Sequence, residues 1–336
     1  MKSLGFTRHA LCSCVAAAML AGCGGSQPPI GAPGVMQQNR AIVTQADRSR
    51  SWILPGARNK DPRATYKISG PLLYATNQFN STNWDGVTIY RADAKDPAPL
   101  AKISDDLYLP FGECIDGEGT LYVSSAPTSG GWVSEYPLGK TTPSTIITDG
   151  IGSPGYCAID AKGNLWVGNA GANVTEYLKG LKKPHAVITK GLASPAGIAI
   201  DRSGNLYVAN HLTEYSANVV VYAPGKKSPS RTITNGVTFP EGLAVDSRGT
   251  LYVVNIFQNN VEEYRSGQDD PFQTITEAMD HPTDVTVDKK GVLYVSNGGN
   301  STVAEFAPGS VKPLKRAISK GLYEPYGIAY YPAVLP

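Results

Sequence analysis

A unit of 41–45 residues recurs through most of this 336-residue chain, and no other feature limits its possible folds so strongly. Each unit starts at a proline: Pro110, Pro154, Pro195, Pro240, Pro282 and Pro325. An apolar strand follows, as in Gly197-Ile198-Ala199-Ile200, and runs into an Asp-x-x-Gly turn such as Asp201/Gly204 or Asp246/Gly249. Aspartate bonds its own turn backbone and glycine accepts positive φ, so these are hairpin connections. A second strand carries an aromatic residue, at Tyr122, Trp166, Tyr207, Tyr252 and Tyr294. A third strand ends on one, at Tyr136, Tyr177, Tyr222, Tyr264 and Phe306. A fourth precedes the next proline. Four short strands in a unit of this size predict a propeller blade.

The ends of the chain set the blade number. After Pro325 comes an inner strand, Gly327 to Tyr331, with no second strand behind it. Near the start, Leu73-Tyr74-Ala75, Val87 to Tyr90 and Ala101-Lys102-Ile103 read as strands two to four with no first strand. Joining them gives an all-β, six-bladed β-propeller with four strands per blade. The C-terminal strand enters the N-terminal blade, closes the ring and removes exposed sheet edges. The composition agrees, since 36 Gly and 25 Pro leave little room for long helices. The 18 Tyr against 7 Phe are largely the recurring blade aromatics. The repeat resembles that of the NHL family of six-bladed propellers, with 195–210 its clearest copy. The wider relatives include gluconolactonase-like, streptogramin-lyase-like and strictosidine-synthase-like proteins. That resemblance implies the fold and leaves the activity open.

Upstream of the repeats, residues 1–22 read as a secretory signal, with Lys2 and Arg8 before a short apolar core. The segment Leu20-Ala21-Gly22-Cys23 resembles a bacterial lipobox, which implies cleavage before Cys23 and its lipidation. Multiple acyl chains on one residue anchor stably to a membrane. Gly24 in place of Asp implies, by the same resemblance, an outer-membrane location facing periplasm or cell surface. Residues 23–66 are expected to be a flexible tether, with Trp52-Ile53-Leu54 able to tuck onto the domain, and 67–336 the propeller. Loss of Lys2 and Arg8 leaves 28 basic and 28 acidic residues in the mature chain. With no basic cluster, nucleic acid is not an expected partner, and a monomer is expected. Cys114 and Cys157 would remain in the folded part. They fall at different positions of neighbouring blades, so no disulfide is expected between them.

Comparing the blades with one another separates architecture from candidate function. Asn77, Asn169, Asn210, Asn255 and Asn297 end the second strand, with Ser125 in the remaining blade. They read as caps of the following loop that could also face a pocket. Immediately after the proline stand Phe111, Gly155, Ala196, Glu241, Thr283 and Tyr326. Next come glycines, except for Tyr156 and Asp284, and then apolar residues, except for Glu113. Carboxylates near the axis are costly unless paired, hydrated or ion-bound. A mouth pocket is therefore expected, with Phe111, Tyr156 and Tyr326 as walls and Glu113, Glu241 and Asp284 as orienting charges. Asn210, His211, Asn255 and Asn297 are expected nearby. His211 and His281 are expected in solvated loops on that side.

Two functions follow. One is a membrane-tethered, non-catalytic propeller that binds a small molecule, glycan or protein at its mouth. The other is a metal-dependent lactonase, hydrolase or lyase, for which calcium or another divalent ion would be the cofactor. In gluconolactonase-like proteins, the resemblance places the ligands at Glu-Gly, Asn-Gly and Asp-Gly pairs, and here only Glu241-Gly242 matches. No nucleophile elbow, phosphate loop or HExxH motif is present, so the binding function is the leading expectation.

Overall fold

The computed structural model describes residues 65–77, 86–127, 130–213 and 216–334. The predicted signal segment, Cys23 and Trp52-Ile53-Leu54 lie outside them. The described residues form 23 β-strands and no helix.

Six antiparallel sheets follow the repeat. The inner strands are β4 (Pro110–Ile115), β8 (Pro154–Ile159), β12 (Ser194–Ile200), β16 (Pro240–Val245), β20 (Pro282–Val287) and β23 (Pro325–Tyr331). Closure is as the chain ends imply. β23 pairs antiparallel with β1 (Leu72–Asn77), with Leu73 opposite Tyr330 and Tyr74 opposite Ala329. Thr65 and Tyr66, assigned from sequence to the tether, sit on the propeller. Thr65 bridges Lys140, and the Tyr66 and Tyr74 hydroxyls are 2.7 Å apart.

The expectation of four strands per blade holds, with the fourth strand of one blade reduced to isolated bridges. β20, β21 (Leu293–Asn297) and β22 (Thr302–Phe306) form a three-stranded sheet. Its outer edge is met only by isolated bridges from Pro313 and Ile318. Phe306 and Ile318 are separated by one residue more than Tyr222 and Ile233 in a regular blade. An odd insertion breaks the two-residue side-chain period, and Pro313 has no N–H to donate.

The repeating residues have repeating work. In the hairpin turns, Asp116 Oδ1 accepts the Glu118 and Thr120 backbone N–H groups at 2.9 and 2.8 Å. Asp160, Asp201, Asp246 and Asp288 do the same in their blades. The turn glycines, such as Gly204 at φ +80°, take the left-handed backbone that closes the turn. The second-strand ring returns to the same aspartate, as from Tyr207 to Asp201 Oδ2 at 3.1 Å. Third-strand tyrosines instead donate to a backbone carbonyl in the loop that leads into their own blade's inner strand. Tyr177 reaches Asp149 at 2.7 Å, Tyr222 reaches Lys190 at 2.7 Å and Tyr264 reaches Asn235 at 2.6 Å. A buried aromatic with a satisfied hydroxyl explains the use of Tyr over Phe. The core is accordingly six clusters, each shared by two neighbouring blades.

Candidate functional site

Each complete inner strand carries an irregularity directly after its proline. Register with the second strand shifts between Pro110 and Glu113, between Pro154 and Cys157, and at the matching places in β12, β16 and β20. A bulge re-aims the side chains it carries. The two positions after the proline thereby turn toward the neighbouring inner strand.

That approach explains the glycines. A Cβ on Gly197 would lie 2.0 Å from the Glu241 carbonyl, and one on Gly327 would lie 2.7 Å from the Phe111 carbonyl. The two bulky exceptions each lie against such a glycine. A Cβ on Gly112 would meet Tyr156 Cα at 2.5 Å, and one on Gly242 would meet Asp284 Oδ1 at 2.2 Å. Tyr156 and Asp284 therefore occupy space that the preceding blade leaves clear.

Phe111, Tyr156 and Tyr326 do meet, but as a plug more than as walls of an open pocket. The Phe111 ring is 4.2 Å from Tyr326 and 5.5 Å from Tyr156, edge to face with the latter. Tyr156 and Tyr326 are buried and Phe111 is half-buried. The Tyr156 hydroxyl donates to the Thr283 carbonyl at 2.8 Å, tying β8 across the axis to β20. Beside the plug, an axial chamber of about 130 Å³ runs between all six inner strands. Its polar side chains are Glu113, Tyr156, Asp284, Thr286 and Tyr330. Elsewhere it is largely aliphatic, from Ile115, Ile159, Ile198, Ile200, Leu243, Val245, Val287 and Ile328. Ala333 and Val334 also line it, beyond the end of β23.

Three carboxyl groups gather here. Glu113, Glu241 and Asp284 are 4%, 1% and 4% exposed. Asp284 is held by the Val285 N–H at 2.8 Å and by the Ile328 N–H at 3.0 Å. Neither oxygen of Glu113 or Glu241 has a hydrogen-bond partner among the described residues. Burial, then the negative charge of Asp284, pushes the Glu241 carboxyl up to about 8. The same two causes hold Glu113 well above the ordinary carboxylate range, moderated by the Ala329 backbone. Burial raises Asp284 as well, against its two N–H donors. Glu241 is close enough to couple with Asp284 and Tyr156 but does not line the chamber. Among the described residues no three His, Cys, Asp or Glu side chains are grouped to hold a metal ion.

Other sequence candidates have structural tasks. The Asn210 carbonyl oxygen accepts the Ala193 and Ser194 N–H groups at 2.7 and 3.2 Å, while its amide donates to Asn218. Asn255 accepts from Thr238 and Asn297 from Asp280, each at 3.0 Å, and each donates forward to its third strand. These residues brace the loop that leads into the inner strand, rather than capping only the loop that follows. His211 is not a solvated loop residue. It lies within β13 (Leu206–Thr213), 4% exposed and stacked on Phe239 at 4.1 Å. Its Nε2 is 2.7 Å from the Pro240 carbonyl, which makes Nε2 the protonated nitrogen of the neutral ring. Burial lowers its pKa to about 4. His281 sits at a half-exposed position, with Nδ1 3.0 Å from Asp280.

The expectation of two free thiols is overturned. Cys114 and Cys157 form a disulfide between β4 and β8, with a Cα–Cα distance of 5.6 Å, and both line the chamber. Inner strands of adjacent blades converge on the axis, so positions that differ by one in blade register still come within bonding distance. Sequence reasoning also passed over a set of hydroxyls one position before the terminal Asn or Ser of strand two. Thr76, Ser124 and Ser296 stand there in three blades, and Gly168, Ala209 and Val254 in the others. The three hydroxyls join neighbouring inner strands. Ser296 donates to the Tyr326 carbonyl at 2.9 Å, Thr76 to that of Phe111 at 3.1 Å, and Ser124 to that of Gly155. Comparing blades at that position would have exposed them.

The fold and this axial site define a six-bladed β-propeller. Among solved structures, the chain is similar to one in the crystal structure of a nidogen/laminin complex. The TM-score is 0.64 at 18% identity, covering 78% of this chain and 98% of that one. This likeness is one of fold. In all, 1270 solved chains are similar, so the architecture by itself selects no activity. No protein-family model and no curated protein matches the sequence.

Proposed function

We propose that this protein is a membrane-tethered, extracytoplasmic binding propeller that takes a small ligand in its axial chamber. The observation that carries the reading is Glu113, a buried carboxylate without a hydrogen-bond partner on the wall of a chamber it shares with Asp284 and Tyr156. Buried polar groups without partners are costly, and a fold retains them where they serve something other than stability. The chamber has the usual form of a ligand site, apolar walls with a few convergent polar groups. The disulfide fits an oxidising compartment outside the cytoplasm. The lipobox-like Cys23 and the NHL-like repeat support the tether and the lineage.

The chamber is tested by thermal melts of the mature chain against small fragments. Ala199 lines the chamber, and Ala199→Leu is expected to reduce its volume while leaving the carboxyl residues in place. Fragments of up to about six heavy atoms should stabilise the wild type and lose that effect in folded Ala199→Leu. Fragments that stabilise both proteins alike would remove the chamber from the reading. The tether is tested by fractionation: Cys23→Ser should move the protein from the membrane pellet to the soluble fraction. Retention in the pellet would contradict lipid anchoring.

A further inference from the structure

Resting on that reading, we infer that the chamber takes a small aliphatic ammonium ion, its cationic head between Glu113 and Asp284 and its alkyl chain along the aliphatic wall. The head group is set by the donor and acceptor count. Neither oxygen of Glu113 has a partner in close hydrogen-bond geometry, the Ala329 backbone N–H standing only near enough to favour its charge. Each oxygen of Asp284 accepts a single backbone N–H and keeps acceptor capacity. A primary ammonium carries three N–H donors and no acceptor, and its charge between Glu113 and Asp284 would draw these carboxyls, which burial holds toward the protonated form, into the acceptor-only carboxylate form. No lysine or arginine lines the chamber, so no cation of the protein's own stands there. The Tyr156 hydroxyl, committed to the Thr283 carbonyl, limits the head group on one side.

The tail is set by the rest of the lining. Beyond Glu113 and Asp284 the wall is mainly Ile, Leu, Val and Ala. A hydrated metal ion would leave that surface unused, and the carboxylates are not arranged as a metal site. The volume of about 130 Å³ limits the size. A dry cavity of about 150 Å³ accepts benzene, so a ligand of about five or six heavy atoms fits. Burying each methylene of such a chain contributes about 0.8 kcal/mol, which favours an alkylammonium over ammonium itself.

The test is calorimetric titration of the mature chain at neutral pH with n-butylammonium, and with n-butanol as its neutral counterpart. Butylammonium should bind on the order of tenfold or more tighter than butanol, the margin of a charged hydrogen-bonded head. Glu113→Gln should reduce ammonium affinity by a similar factor and leave the alcohol nearly unchanged. Equal affinity for amine and alcohol, or an ammonium affinity indifferent to Glu113→Gln, would overturn the ammonium inference and leave the chamber standing as an apolar site. Binding of neither compound, or binding that persists in Ala199→Leu, would overturn the chamber reading as well. Should Glu113→Gln fail to fold, the comparison of amine with alcohol in the wild type decides the matter.

Discussion

Glu241 illustrates how a side chain that breaks the blade pattern sets a measurable property of the whole protein. Its carboxyl titrates near 8 in the folded state against an ordinary value of 4.5, because burial and then Asp284 disfavour its charge. The folded state thus holds the proton more tightly than the unfolded chain. The stability this contributes is complete below about pH 4.5 and is lost as pH rises through about 8. Glu113 and Asp284 act in the same direction. His211 acts oppositely, losing stability as pH falls from 6.5 toward about 4. The difference between wild type and Glu241→Gln isolates one group. In denaturant unfolding that difference should move against the wild type with rising pH, by at most roughly 1.4 kcal/mol per pH unit, and level off above about pH 8. A flat difference would show that the carboxyl is not buried as described. These residues were legible from sequence because Glu113 and Asp284 break a repeat that is otherwise apolar or glycine. Their pairing with the plug was not. It depends on Gly242 giving way to Asp284 and Gly112 to Tyr156 across blade boundaries, which a single blade does not display.

At the scale of elements, the inner strands hold what the sequence reading missed. Cys114 and Cys157 looked incompatible because each was placed in its own blade's register. The structure joins them because β4 and β8 converge on the axis. The bond closes a segment with a sequence separation of 43, and the chain-entropy relation assigns such a loop about 4 kcal/mol. Cys114→Ala/Cys157→Ala should therefore lower the guanidinium midpoint of the mature chain by a corresponding amount. An unchanged midpoint would mean the cross-link does not constrain the unfolded chain. Since Glu113 and Tyr156 directly precede the two cysteines, the double variant should also weaken chamber binding. The blade containing β20 offers a second lesson. Its expected fourth strand is present only as bridges: Ile318 pairs with Val303 as in the other blades, but the extra residue between Phe306 and Ile318 interrupts continuous period-two pairing. His211 was misplaced for a related reason. β13 runs on to Thr213, and Phe239 from the next blade covers the ring.

For the molecule as a whole, ring closure was the most legible property, because an orphan first strand at one end matches a missing one at the other. The chamber was the least legible. It is a space between six strands, and no strand alone encodes it. The central claim is that this space is a ligand site headed by Glu113 and Asp284. The most direct measurement is a crystal structure of the mature chain soaked with n-butylammonium. The account predicts density along the axis, with nitrogen within hydrogen-bonding distance, about 2.7–2.9 Å, of carboxylate oxygens of both residues. A chamber holding only water, with the amine at the outer surface or nowhere, would contradict it.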